Sequence, residues 1–265
     1  MLPFESKTVI VTGASKGIGR AVALEFARLG ANLVLAARSG DLLAEVERDL
    51  ENYPGQRLCV PTDVSMRDQV EAMVEKAVAA FGRVDVLVNN AGIGFSGRIA
   101  NVDPDQIGLV FATNVMGPVY AIHAVVPVMR RQGGGTIVNV SSPMARMPFP
   151  TAGPYSASKA ALDALTAALQ VELEKDHIRI ILVYPGFTQT EFFKSAVREE
   201  GTPVPVHAQI RGEPPERIAR RITAGVLRGR TMVWYNAAAS LPVGLVASMG
   251  GLRRLVGRQV MRYRR

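Results

Sequence analysis

Tyr155 and Lys159 stand four residues apart, and on a helix that spacing places both side chains on one face. The pair suits acid/base chemistry. A free phenol has a pKa of about 10 and is a reluctant base near neutrality, whereas a neighbouring ammonium favours the phenolate. Lowering the phenol by about 2–3 units takes about 3–4 kcal/mol. One close cation in a partly dry cleft can supply much of that, so the spacing predicts a tyrosine acidified by Lys159.

A second constellation lies near the start of the chain, Thr12-Gly13-Ala14-Ser15-Lys16-Gly17-Ile18-Gly19. Glycines let the backbone turn tightly and let a pyrophosphate approach the amides. A helix following at once would turn its positive end to the phosphates. Further on, Ala36-Ala37-Arg38-Ser39 closes the second apolar run. An acid there would bind a ribose 2′-hydroxyl and repel a 2′-phosphate. The sequence offers Arg38 instead, which can pair with that phosphate. Lys16 gives a second cation, and Ser15 and Ser39 give hydroxyl donors, so the expected cofactor is NADP(H).

Other chemistries find little material. The one cysteine, Cys59, excludes a disulfide framework and a cysteine-rich metal site and reads as a core residue. His123, His177 and His207 are scattered and read as structural or surface residues; no metal site is expected.

These residues need a scaffold. Short apolar runs at 8–12, 32–36, 57–61, 84–89, 136–140, 178–184 and 231–235 read as strands buried on both faces. Between them lie helical stretches at 17–29, 41–51, 67–81, 104–131, 155–175 and 214–227, with Pro104 following an Asp103 cap. Such alternation implies right-handed crossovers and a single α/β domain with a doubly wound parallel sheet of about seven strands.

The glycine spacing, Gly-x-x-x-Gly-x-Gly, resembles that of the short-chain dehydrogenase/reductase family. The resemblance continues in order through Asp63-Val64, Asn89-Asn90-Ala91-Gly92, Asn114, Ser142, Tyr155-Ser156-Ala157-Ser158-Lys159 and Pro185-Gly186-Phe187-Thr188-Gln189-Thr190, over roughly residues 5–190. It implies a Rossmann-type fold and a catalytic set of Asn114, Ser142, Tyr155 and Lys159. In that set Tyr155 exchanges the proton, Ser142 holds the substrate oxygen, Lys159 holds the nicotinamide ribose, and Asn114 anchors a relay water. The resemblance also implies a cofactor site of Gly13, Ser15, Lys16, Gly17, Ile18, Gly19, Arg38, Asp63, Val64, Asn90, Ala91, Gly92, Tyr155, Lys159, Pro185, Gly186, Thr188 and Thr190. Asp63 and Val64 would meet the adenine, and Asn90 and Gly92 the adenosine ribose. Ser141 neighbours Ser142, and strand alternation lets only one of them face the cleft.

The walls of the substrate site are expected at Gly94-Phe95, at 143–149, and at Phe187 with Phe192-Phe193. Met144, Met147 and Phe149 make the mouth apolar, which predicts a hydrophobic carbonyl or alcohol substrate. Residues 191–213 read as a substrate lid within a domain spanning 1–235. The net charge of +8 is uneven: from Arg211 onward twelve arginines face two glutamates. Residues 236–265 read as a basic amphipathic extension suited to peripheral contact with an anionic membrane. With no aromatic interleaving beyond Tyr263, no nucleic-acid partner is expected. A secretory leader is not apparent and the cysteine content is low, so a cytoplasmic setting is expected. The resemblance implies a homodimer or homotetramer built on helices 104–131 and 155–175. The expected activity is NADPH-dependent reduction or the reverse dehydrogenation. The alternative is a nucleotide-sensing or scaffolding protein on the same fold, without turnover.

Overall fold

The computed structural model describes residues 2–189, 192, 196–199 and 212–235. The expected extension at 236–265, and most of the expected lid, fall outside these residues.

The first strand, β1 (Thr8–Thr12), is a run of β-branched residues, all buried. It leads through a glycine turn into α1 (Gly17–Arg28), then β2 (Asn32–Ala37), α2 (Gly40–Asp49), β3 (Arg57–Pro61), α3 (Arg67–Phe81) and β4 (Val86–Asn89). A short β5 (Phe95–Ser96) precedes α4 (Pro104–Phe111), a π-helical turn (Ala112–Met116) and α5 (Gly117–Arg131). The chain continues through β6 (Gly135–Val140), α6 (Gly153–Glu172), β7 (Ile178–Tyr184), β8 (Val197–Arg198), α7 (Pro215–Leu227) and β9 (Met232–Trp234).

Seven strands form one sheet in the order β3-β2-β1-β4-β6-β7-β9, and every pairing in it is parallel. The chain walks outward from β1 to β3 and then returns to place β4 on the other side of β1. Crossovers therefore diverge at the C-terminal ends of β1 and β4, where a crevice must open. Side-chain alternation builds two cores. Val9 and Val11 join Leu33 and Leu35 under α1 and α7, while Ile10 joins Val34 and Leu87 under α3 and α5. A third, smaller cluster lies at the crevice, where Phe95, Val102, Val110, Met144 and Ala152 surround Tyr155.

The structure departs from the sequence reading at several points. The helix expected over 104–131 is interrupted by the π-helical turn at Asn114. The helix expected from Tyr155 starts at Gly153 and stops at Glu172, and the strand expected from residue 84 begins at Val86. β5 and β8 form a separate parallel pair that the two-residue lengths conceal. Cys59, expected in the core, is half-buried near the sheet's edge with its Sγ directed at the Leu43 carbonyl oxygen (3.6 Å). Burial pushes that thiol up to about 11, which leaves it protonated and unreactive at neutral pH.

Candidate active site

The glycine turn is built by close packing. Gly13 and Gly17 adopt positive φ of 65° and 55°, a region that disfavours residues carrying a Cβ. A Cβ on Gly19 would stand 2.1 Å from the Gly13 carbonyl oxygen, so only glycine lets α1 pass this near to β1. Asn90 secures the turn from β4. Its Nδ2 donates to the carbonyl oxygens of Thr12 (3.0 Å) and Gly13 (3.2 Å), while the amides of Asn90 and Ala91 both donate to Thr12 Oγ1 (3.1 Å each). The Asn90 side chain, expected along a ribose, is thus committed to bracing the loop.

No side chain caps α1 at Lys16, and its first turn holds no acid. The first amide to bond back is that of Arg20, to the Lys16 carbonyl oxygen (3.3 Å). The amides of Gly17, Ile18 and Gly19 therefore have no partner within the helix. Unpaired amides at a positive helix end, reached over a turn without side chains, fit a dinucleotide pyrophosphate. Arg38 is exposed one residue past β2, and Ser39 caps α2 by accepting from the Leu42 amide (3.4 Å). The Asp63 carboxylate is turned back onto the Ser65 amide (2.9 Å) and hydroxyl (2.7 Å). Val64 packs against the start of α5, where a Cβ on Gly117 would lie 3.0 Å from it. A cleft of ≈ 650 Å³ borders Ser15, Lys16 and Gly17 and extends to Arg48 and Asp49. It lies on the α1–α2 face and does not reach Tyr155.

At the chemical end, Tyr155 and Lys159 sit on α6 and are only 6% and 4% exposed. Ser142 follows β6 on the same side as the Tyr155 phenol, whose pKa its hydroxyl lowers. Its Oγ also accepts from the Met144 amide (3.2 Å). Ser141 faces the other way, onto Asp163, so alternation at the strand end selects Ser142 for the cleft. The Phe192 ring lies against the Tyr155 ring, with centroids 5.7 Å apart. Tyr155 is thus enclosed by the small crevice cluster rather than by either main core. Phe95 and Met144, expected as substrate walls, are packed inside this cluster, while Phe187 remains exposed.

Lys159 Nζ donates to the Val140 carbonyl oxygen (2.8 Å), and burial lowers its pKa to about 8. The protein groups alone do not acidify the tyrosine as its spacing from Lys159 predicts. Burial pushes the Tyr155 phenol up to about 12, with Ser142 pulling modestly the other way. Desolvation of the phenolate outweighs the neighbouring lysine, whose ammonium is turned to the strand end. The phenol is consequently a proton donor across the neutral range.

Asn114 is fully buried in the π-helical turn. Its Oδ1 accepts from the Ile93 amide (2.8 Å), and its Nδ2 donates to the Ile93 carbonyl oxygen (3.0 Å) and to Ser158 Oγ (3.0 Å). Both amide hydrogens are spent, so the side chain joins the strand after Gly92 to α6. A Cβ on Gly92 would stand 3.0 Å from Asn114 Oδ1 and 3.5 Å from Lys159 Nζ, which explains the glycine between them. Pro185, Gly186 and Thr188 follow β7 at the same edge of the sheet. The Thr188 hydroxyl donates to the Gly186 carbonyl oxygen (3.0 Å), and the Tyr235 ring would lie 2.7 Å from a Cβ on Gly186. Thr190 and Phe193 lie outside the described residues.

Sequence reasoning missed two polar braces. Asn89 Nδ2 donates to Asn139 Oδ1, and Asn139 Nδ2 to Thr166 Oγ1 (2.9 Å each), a buried ladder from β4 through β6 to α6. The second joins Ser141, Asp163, Tyr184 and Arg146 beneath the site. Asn89 sits in the motif already singled out and Ser141 beside another, but their partners lie tens of residues away.

Residues 7–201 match the family model described as short chain dehydrogenase. The chain is 32% identical over 253 residues to dehydrogenase/reductase SDR family member 7B of Bos taurus, across 92% of this chain and 78% of that protein. Among solved structures it resembles a short chain dehydrogenase/reductase from Burkholderia phymatum in complex with NAD, with TM-score 0.85, 30% identity, and coverage of 92% of this chain and 93% of that one. It also resembles an alcohol dehydrogenase from the archaeon Thermococcus sibiricus complexed with 5-hydroxy-NADP, with TM-score 0.74, 28% identity, and coverage of 87% and 97%.

Proposed function

The chain belongs to the short-chain dehydrogenase family, and from that premise we propose that it is an NADPH-dependent reductase acting on hydrophobic carbonyl compounds. The observation that carries this reading is the Tyr155 side chain, buried in an apolar cluster at the crevice of the sheet with Lys159 one turn along α6. A phenol held at about 12 is a weaker acid than a free one but still a stronger acid than an alcohol, so it can protonate a nascent alkoxide.

The nicotinamide, when bound, supplies the hydride that reduces the carbonyl carbon. Tyr155 donates its proton to the carbonyl oxygen. The Ser142 hydroxyl donates a hydrogen bond to the same oxygen and keeps it within reach of the phenol. Lys159, protonated below about pH 8, presents an ammonium that can hold the ribose hydroxyls and resupply the proton. Asn114 holds Ile93 and Ser158 in place. A relay water would rest on main-chain carbonyl groups of the widened turn, since the amide hydrogens of the side chain are taken. The unpaired amides of α1 receive the pyrophosphate. Preference for the 2′-phosphate rests on Arg38, on Lys16 and on Ala37 standing where an acid would select NAD. The apolar cluster and the Phe192 ring support an apolar substrate.

NADPH and NADH oxidation measured across a panel of apolar ketones and small charged keto acids tests the reading. NADPH with apolar ketones is expected to be the faster combination. Tyr155→Phe should lower kcat about 10²–10⁴-fold while NADPH binding, followed by its fluorescence, persists. Ala37→Asp should shift the preference toward NADH. Faster turnover of charged keto acids, or indifference to Tyr155→Phe, would overturn the proposal.

A further inference from the structure

Asp163 lies one helical turn beyond Lys159 on α6 and bonds to residues at the ends of β6 and β7 and in the segment after Ser142. Ser141 Oγ donates to Asp163 Oδ1 and also lies 3.5 Å from the Lys159 carbonyl oxygen. The Tyr184 hydroxyl donates to Asp163 Oδ2 (2.6 Å) and accepts from Arg146 Nε (2.8 Å). Arg146 reaches the carboxylate itself at 3.8 Å, and its guanidinium lies 5.2 Å from the centre of the Tyr184 ring. That ring is stacked on Trp234, with centroids 4.2 Å apart.

We infer that Asp163 is a positioning residue, the hub of a network with Ser141, Tyr184 and Arg146 that fixes Lys159 and Ser142 relative to one another. Three neighbours in sequence show why. Ser141 precedes Ser142, so anchoring one hydroxyl on α6 turns the next toward Tyr155. Tyr184 precedes Pro185-Gly186 and ties the end of β7 to the same carboxylate. Arg146 sits in the segment after Ser142, so its bonds draw the wall of the mouth down onto α6. The proposal rests on the reading of Lys159 and Ser142 as site residues.

The carboxylate also acts through its charge. Asp163 is the charged group among the described residues whose field raises the affinity of Lys159 for its proton, against burial that lowers it to about 8. The other groups around Nζ are neutral: the Val140 carbonyl oxygen, the Asn114 amide and Gly92. Around Asp163 itself stand Ser141, Tyr184, Arg146 and Lys159, all of which hold its pKa down, while burial raises it further than they lower it. The network thus keeps an anion buried where it sustains the ammonium.

The chain has six lysines, few enough for direct observation. Protein labelled with 13C at lysine Cε is titrated by NMR, and Lys159→Arg identifies the Lys159 resonance by its loss. The wild-type resonance should show a main step near pH 8 and a second, smaller step on the acid side as Asp163 takes up its proton. Asp163→Asn should abolish the acid step and lower the main midpoint by about half a pH unit or more; Asp163→Glu should restore both. Arg146→Met, which removes a cation that lowers the pKa of Asp163, should move the acid step to higher pH. A wild-type curve with one step, or a main midpoint unmoved in Asp163→Asn, overturns the inference even if one variant fails to fold. The readout needs no substrate. A chain that shows the two steps but no turnover keeps the network and loses the reductase reading.

Discussion

The charge on Lys159 is maintained against its surroundings. Its pKa falls from 10.5 to about 8 through burial, so the folded state binds this proton less tightly than the unfolded chain does. The sign follows: between about pH 8 and 10.5 the unfolded chain is the more protonated, and stability from this group rises with pH. Below pH 8 the fold carries a penalty of about 3 kcal/mol, since each unit is worth about 1.4 kcal/mol. Urea unfolding of wild type and Lys159→Met at pH 7 and pH 10 measures it. The stability difference between the two should shift by about 2 kcal/mol, with wild type gaining on the variant as pH rises. Reductase activity is expected to run the opposite way and fall above pH 8, as the ammonium is lost. An ionised lysine at neutral pH therefore costs the fold something, and the hydrogen bond to Val140 and the charge of Asp163 offset only part of it.

At the scale of elements, the π-helical turn is the joint on which the site hinges. Asn114→Leu keeps the volume but strands the Ile93 amide and carbonyl and the Ser158 hydroxyl. The expected cost is about 2–4 kcal/mol, read from denaturant midpoints, with a loss of reductase activity beyond what the lost stability explains. This joint also marks where sequence reading ends. Runs such as Thr8–Thr12 are legible because a strand buried on both faces must be apolar at every position. The glycine turn is legible because positive φ at Gly13 and Gly17 restricts the residue type. By contrast, Ala112–Met116 is spaced like the helices on either side, and one extra residue in a turn leaves no mark on apolar periodicity. β5 and β8 are too short to show alternation. Asp163 reads as an ordinary polar position of an amphipathic helix, because its partners Ser141, Tyr184 and Arg146 come from three other elements. The i, i+4 spacing of Tyr155 and Lys159 likewise reveals a neighbouring lysine but not the burial that raises the pKa of the phenol.

At the scale of the molecule, the parallel sheet gathers everything chemical at one edge and leaves the outer helices to other tasks. Leu109 and Met116 are 48% and 39% exposed on the α4 side, and Leu165 and Val171 are 39% and 74% exposed on α6. Apolar side chains left uncovered on two neighbouring helices favour burial against a second copy. The segment Pro104–Arg131 is long and apolar enough to cross a membrane by composition, but half of it is buried within the fold, which makes it a core element. The expectation of a homo-oligomer built on these helices predicts that Leu109→Glu combined with Leu165→Glu lowers the mass measured by light scattering to that of one chain, with the circular dichroism unchanged; a wild-type mass of one chain, or an unaltered mass in the variant, would count against it. The last strand has a consequence of its own. The protein contains one tryptophan, and it is the residue stacked on Tyr184. The molecule thus carries its one indole at the outermost strand, coupled through one ring to the floor of the reaction chamber, and emission excited at the red edge, where the six tyrosines do not absorb, reports whether that strand is docked.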